Sequence, residues 1–315
     1  MSMDFARTIT GPDGRTERLP AKLFYENLSW RDVKEMPDKD RVIICQPLGA
    51  IEQHGPHGPL DMDINTARAT VPLAAHRATQ RGTRVLVAPL IPYGFSLNLM
   101  DEEYTADEFP GTITFSAQAY FTVLMEVCKG FIRAGFRRIA LVTGHGNNLP
   151  TMQIVGREIR HRTGALVMVT APYLLAGTEI LAELEQGFLK HAEEFETSIT
   201  WVVDEESLDL QMLAERRAPV DLESGRGGKF FRRDAVTQPA SAGRLFLAEK
   251  SSEMSRGGVI GDPHLASKEK GERFVTYMVD KLTEAFEFFG QVEFGKGRDA
   301  YIRSTNSWGA TPAQR

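Results

Sequence analysis

Between Glu52 and Asp63 the chain sets three carboxylates and two imidazoles within twelve residues, Glu52-Gln53-His54-Gly55-Pro56-His57-Gly58-Pro59-Leu60-Asp61-Met62-Asp63. Glu52 and His54 stand two apart, so in extended backbone they project to the same side. The Gly and Pro residues that follow break regular structure and turn the chain. Asp63 can then come back to face Glu52 and His54. Carboxylate together with neutral imidazole suits zinc, manganese or iron. An Asp can bridge two ions, and two ions about 3.5–4 Å apart form a common hydrolytic arrangement. The competing account of this stretch is a polar turn with a capping Asp at the start of a helix. A second histidine stretch, Thr143-Gly144-His145-Gly146-Asn147-Asn148, follows another apolar run and tips the reading toward a metal centre.

The elements that must hold these stretches can be read from the pattern. An apolar run over 41–47 precedes the first stretch, and a helix runs from Asp63 to about Gln80, with Pro72 an awkward inclusion. A strand is expected over 84–91, then a helix from the cap Ser116 to about Ala134, with Tyr120, Leu124, Val127, Cys128 and Phe131 at helical spacing. The strand 138–143 delivers His145. A helix over 149–162 ends at Gly164, and a fourth strand covers 165–170. Ser29 caps a short helix near 30–36, residues 190–202 enter another helix, and a closing helix runs from His264 to about Phe289. Strands alternating with helices give an α/β fold, three-layer α/β/α with a mainly parallel sheet. Ligands in such sheets bind beyond the carboxyl ends of the strands, where both histidine stretches fall. Residues 1–24 read as an irregular arm, 25–290 as a single catalytic domain and 291–315 as a polar tail.

The bulk properties set limits. The chain has 315 residues, 42% apolar and 25% charged, an ordinary composition for a soluble protein. Its net charge of −5 gives no electrostatic case for nucleic acid. No apolar stretch approaches the ~20 residues of a membrane helix. Cys45 and Cys128 lie in apolar runs and read as buried thiols, and the N-terminus lacks an apolar signal core. A cytoplasmic setting is the expectation.

With these residues in view, the chain resembles the creatininase (creatinine amidohydrolase) family. The resemblance rests on Leu48-Gly49-Ala50-Ile51-Glu52-Gln53-His54-Gly55-Pro56-His57 with Asp63, on Phe109-Pro110-Gly111-Thr112, on Gly144-His145-Gly146-Asn147-Asn148, and on His191 through Glu196-Thr197-Ser198. The turn Gly261-Asp262-Pro263 and the stretch Glu269-Lys270-Gly271 are also similar. It implies a single α/β/α domain, a two-metal centre, hydrolysis of a non-peptide C–N bond, and a homo-oligomer, commonly a hexamer. It places Glu52, His54, Asp63 and His145 on metal-ligand positions, with Asp63 bridging, and gives His191 the role of proton donor to the leaving amine. Creatinine hydrolases proper resemble Gly-His-Tyr-Glu-Asn in the second motif, where the Glu is a ligand. Here Gly146 and Asn147 hold the Tyr and Glu positions. An amide oxygen is a poorer ligand than a carboxylate, so Glu196 is the candidate to complete the second ion's shell, and creatinine itself becomes doubtful as substrate.

The expected chemistry is hydrolysis of a cyclic amide, imide or formamide by water acidified by two divalent ions, Zn or Mn, with Fe as an alternative. The carbonyl would lie against an ion, with amides of the Gly144-His145-Gly146 turn stabilising the oxyanion. His57, Gly146 and Asn147 are candidate substrate contacts. Two rival readings are a metal-poor module that binds a small molecule and an iron-dependent redox enzyme. The acidic loop 101–108 and the cations Arg226, Lys229, Arg232 and Arg233 could meet substrate or a neighbouring subunit, though both read better as solvated surface. His76, His161 and His264 take a structural reading, and Trp30 and Trp201 read as core or interface aromatics.

Overall fold

A computed structural model describes residues 8–10, 16–96, 109–223, 255 and 257–294. Its centre is a parallel sheet of four strands: β3 (Ile43–Leu48), β4 (Val85–Val87), β5 (Arg138–Thr143) and β6 (Leu166–Thr170), in the order β4-β3-β5-β6. Before it, β1 (Thr8–Thr10) and β2 (Thr16–Arg18) pair antiparallel, where the sequence suggested only an irregular arm. In β3 every residue is buried, and alternate residues enter opposite cores. Ile43 and Cys45 join one apolar cluster, Ile44 and Leu48 the other. That is the period-two pattern of a strand covered on both faces.

On one face lie α2 (Met62–Gln80), α7 (Glu194–Val203) and α9 (Lys268–Gln291), with Val71, Phe195, Phe274 and Phe286 in the core. The other face carries α3 (Ala117–Arg133) and α4 (Leu149–Thr163), with Tyr120, Leu124, Met152 and Val155 inward. Layers of helix, parallel sheet and helix match the expected α/β class. Both helices of the second face are defined at an end by the residues that the sequence nominated. Ser116 accepts a hydrogen bond from Ala119 N–H at the start of α3, and Gly164 closes α4 at φ 69°. α1 (Trp30–Glu35) opens with a capping box, Ser29 against Asp32.

The differences from expectation are local. β4 covers only Val85–Val87, and past Pro89 the pairing with β3 returns only as a single bridge between Leu48 and Ile91. Two short helices, α5 (Pro172–Leu175) and α6 (Gly177–Glu183), follow β6, and α8 (Leu210–Ala214) follows α7. The last long helix begins at Lys268, capped by Ser267, after a 3-10 turn at Pro263–Leu265. Pro72 sits inside α2 without ending it. Cys45 and Cys128 are buried free thiols, as expected. Trp30, expected in a core or interface, is outside the core at 72% exposure and lies near Arg31 and Lys34. No helix among the described residues is long and apolar enough to cross a membrane.

Candidate metal centre

Glu52 and His54 leave β3 in a loop that is tied down on both sides. Glu52 N–H bonds to Leu60 O at 2.9 Å, and Gln53 N–H donates to Thr112 Oγ1 at 2.9 Å. The second contact shows what the Phe109-Pro110-Gly111-Thr112 motif does: it braces the loop. Asp63 comes from the first turn of α2, and His145 from the turn after β5. That turn needs glycine at 144, where an added Cβ would stand 2.0 Å from Asp63 O. The close approach brings residue 145 against residue 63. Asn148 then joins three strand-end loops, donating to Gly49 O (3.1 Å) and Thr143 Oγ1 (3.0 Å) and accepting from Phe95 N–H (2.9 Å).

The fourth contributor is the segment entering α7. His191 pairs with Ile260 through backbone bonds, and Ala192 takes a positive φ of 54°. A β-carbon-bearing residue in that conformation is strained. Here it turns the chain so that His191 and Glu196 reach the same pocket.

The imidazoles share one arrangement. His54 Nδ1–H donates to Glu52 O at 2.9 Å, leaving Nε2 3.6 Å from Glu196 Oε2 and 4.0 Å from Asp63 Oδ2. The contact of His145 Nε2 with Phe95 O at 3.0 Å fixes its N–H there, leaving Nδ1 3.0 Å from Asp63 Oδ2. His191 Nε2 contacts Gln53 O at 2.9 Å, and Nδ1 faces Glu52 Oε1 at 3.5 Å and Glu196 Oε2 at 4.0 Å. Gln53 Nε2 is also 3.0 Å from His191 Nε2, but a backbone carbonyl only accepts, so it decides the tautomer. A metal-ligating histidine characteristically gives its other N–H to a carbonyl or carboxylate.

Three donor groups lie with their ligand atoms within 4.8 Å of one another: Glu52, Asp63 and His145; His54, Asp63 and Glu196; and Glu52, His54 and His191. His54 Nε2 and Asp63 Oδ2 are buried without a hydrogen-bond partner. Asp63 Oδ2 is near His145 Nδ1 but off the line a hydrogen bond needs, so the short separation is a meeting of two donor atoms. Buried groups left this way are costly unless something else satisfies them.

The electrostatics say the same. Burial raises the Glu52 pKa; the His145 charge opposes this and the Asp63 charge adds to it. Burial lifts Glu196 to about 7, against the His54 charge and with that of Asp63. Burial disfavours charge on His145, yet Glu52 and Asp63 outweigh it and push the ring up to about 10. His54 is raised in the same contest, burial against Glu196, Asp63 and Glu52. A buried pocket with three converging carboxylates calls for positive charge.

The candidate substrate contacts fall differently. Gly146 is exposed at the rim and Asn147 is half-buried beside it. His57 is buried, with Nε2 3.0 Å from Thr197 Oγ1. The expected oxyanion donors are largely committed elsewhere: Gly144 N–H bonds to Leu48 O (3.0 Å) and His145 N–H to Thr143 Oγ1 (2.9 Å). The acidic loop 101–108 and Arg226, Lys229, Arg232 and Arg233 lie outside the described residues.

The structure adds three residues that the sequence reading passed over. Ser96 donates to Glu52 Oε2 at 2.8 Å and is fully buried. Asn148 is the brace described above. Tyr173, three residues past the end of β6 at Thr170, sets its hydroxyl 3.2 Å from where a Cβ on Gly146 would be. Burial, then the Asp63 and Glu196 charges, push its pKa up, so the hydroxyl keeps its proton. A serine after Tyr93-Gly94-Phe95 and an Asn closing a histidine motif were the available signals.

The chain is similar to known proteins in sequence and in fold. The family model for creatininase, described as creatinine amidohydrolase, matches residues 26–286. A mycofactocin precursor peptide peptidase of Mycobacterium ulcerans (strain Agy99) is 30% identical over 250 residues, covering 75% of this chain and 81% of its own. The creatinine amidohydrolase of Pseudomonas putida is 22% identical over 279 residues, covering 84% of this chain and 95% of its own. A solved manganese creatininase shares the fold at a TM-score of 0.62 and 22% identity, covering 86% of this chain and 100% of its own.

Proposed function

The chain belongs to the creatininase (creatinine amidohydrolase) family, and from that premise we propose that it is a metal-dependent hydrolase of an amide-type C–N bond. The reading extends to a cyclic amide, an imide or a formamide as the class of substrate. One observation carries it. Three imidazoles each give one N–H to a backbone carbonyl and turn the other nitrogen toward shared carboxylates.

The residues present fit a pair of divalent ions. Glu52, Asp63 and His145 would hold one, and His54, Asp63 and Glu196 the other, with Asp63 common to both. The partnerless His54 Nε2 and Asp63 Oδ2 are then ligand atoms. A mixed nitrogen and oxygen donor set suits zinc or manganese. The ions supply Lewis acidity, lowering the pKa of water from 15.7 toward about 7 and polarising the substrate carbonyl.

The protein's own groups do the rest. His191 moves the proton. Burial and the neighbouring His54 and His145 charges hold its pKa well below the ordinary imidazole value, so the ring is neutral at pH 7. Its bare Nδ1 faces the pocket and accepts a proton from water, then returns it to the departing nitrogen. Gln53 O, holding the Nε2–H, keeps that tautomer in place. Ser96 fixes the Glu52 carboxylate. Tyr173 offers a protonated hydroxyl beside Gly146, in a turn where the Gly144 and His145 amides are occupied, and serves as the donor to the developing oxyanion.

The test joins metal stoichiometry with a substrate screen. The purified chain should carry two equivalents of zinc or manganese and hydrolyse at least one member of a panel of lactams, cyclic ureas, imides and formamides, with loss of turnover in chelator. A metal-free chain that still binds such a compound without cleaving it would make the protein a binding module.

A further inference from the structure

β6 ends the sheet, and among the described residues nothing pairs with its outer edge. Leu166 N–H bonds to Arg137 O at 2.8 Å, so Leu166, Met168 and Thr170 turn their backbone groups toward β5. Val167 and Val169 therefore turn their N–H and C=O groups outward. The first four residues of the strand are only half-buried. Proteins usually blunt a free edge with Pro, Lys, an inward charge or a bulge. The sequence Leu166-Val167-Met168-Val169 has none of these, and the strand is ready to accept another.

Alongside that edge runs an open groove of about 680 Å³, lined by Val167 and Val169 from the strand and by Gln153, Arg157, Arg160 and His161 from α4. The four helical residues are spaced i, i+4, i+7 and i+8, so they form one helix face about 12 Å long. No carboxylate lines the groove. Arg160 spends one hydrogen bond on Gly164 O, and Arg157 makes no ion pair among the described residues. The surface is thus an apolar floor, a row of outward backbone groups and a cationic wall.

We propose that this face docks an extended acidic peptide segment, which joins the sheet as a fifth strand beside β6. Main-chain bonds to Val167 and Val169 supply affinity, as in strand addition generally. Side chains alternate along a strand, so every second residue of the guest faces α4. Glutamate or aspartate at those positions meets Arg157, Arg160 and His161. A second copy of this chain fits the same edge poorly. Two-fold pairing of β6 with itself would lay the two α4 faces together, cation against cation.

Fluorescence anisotropy with the full-length, metal-loaded chain tests this. The probes are two labelled, end-blocked heptapeptides, one alternating glutamate and valine, the other alternating lysine and valine. Saturable binding of the glutamate peptide alone is expected. Val167→Pro should abolish it, because proline removes an outward N–H at a position where an edge strand tolerates it. Arg157→Glu should weaken it at least about tenfold. Circular dichroism and metal content of both variants should match the parent. Equal binding of both peptides, binding of neither, or undiminished binding to Val167→Pro overturns the proposal. So does a self-associated chain that Val167→Pro disperses, since the edge would then belong to a second copy. The readout is binding, so the result does not depend on which bond the metal centre cleaves.

Discussion

The two halves of the metal centre are built differently. Glu52, Asp63 and His145 come from strand ends and the start of α2, and each is at most 4% exposed. His145 Nδ1 lies 3.0 Å from Asp63 Oδ2, already at the spacing of two atoms around one ion, while its Nε2 side stands 3.2 Å from Glu52 Oε2. The other half rests on Glu196, whose Oε2 already accepts a 2.5 Å hydrogen bond from Ala192 N–H and lies 3.6 Å from His54. Burial lifts its carboxyl to about 7, so near neutral pH a proton competes there with an ion. The first half is preorganised by the rigid sheet. The second depends on a strained turn and on displacing a backbone donor. Unequal ion affinities follow, tight for the first equivalent and weaker for the second.

The strongest blow to both halves is Asp63→Ala, since Asp63 belongs to both groups. Removing it should empty both sites and lower turnover by about 10³-fold or more, because bound ions supply several kcal/mol of transition-state stabilisation. Metal analysis and kinetics on the same preparation check this. Retention of one tight equivalent would mean that the halves do not share a ligand. Glu196→Gln discriminates between them. It should lose the weaker equivalent, keep the tighter one and slow turnover by about 10²-fold. Equal loss of both equivalents would end the comparison, because the second half would then be supporting the first.

Ser96→Ala probes the preorganised half without touching a ligand. Its hydroxyl holds Glu52 Oε2 at 2.8 Å, and loss of such an outer contact typically costs 10–100-fold in metal affinity. A titration should show the first equivalent weakened by that factor and the second little changed. If both weaken alike, Ser96 braces the whole pocket instead.

What could be read in advance follows from the same asymmetry. The sheet and its two covering layers were legible because period-two and period-3.6 patterns act locally, as in β3 and α3. Glu52, His54 and Asp63 were legible because they lie within one stretch of twelve residues. Glu196 was harder. Its reach depends on the positive φ of Ala192, which an alanine does not advertise. Ser96 and Tyr173 were missed because a lone hydroxyl carries no pattern, and their positions depend on tertiary contact across loops. The expected oxyanion donors were legible only in part for a similar reason: a Gly-His-Gly turn offers amides, but the sequence does not say that Leu48 O and Thr143 Oγ1 already hold those of Gly144 and His145.

The smallest effect concerns the join between the two halves, where His57 lies buried against Thr197 of α7. Burial, then the charges of His54 and His264, hold its pKa down to about 4. In the unfolded chain it titrates near 6.5. As pH falls, the unfolded state therefore binds the proton first. The stability that His57 contributes is complete above about 6.5 and declines as pH drops toward 4. The full span corresponds to about 3 kcal/mol. His57→Gln keeps a hydrogen-bonding side chain near Thr197 and removes the titration. Denaturant unfolding of chelator-treated parent and variant, compared from pH 7 to 4.5, should show a shallower fall for the variant. Parallel curves would place the acid sensitivity in the carboxylate cluster and leave His57 a neutral spacer between the halves.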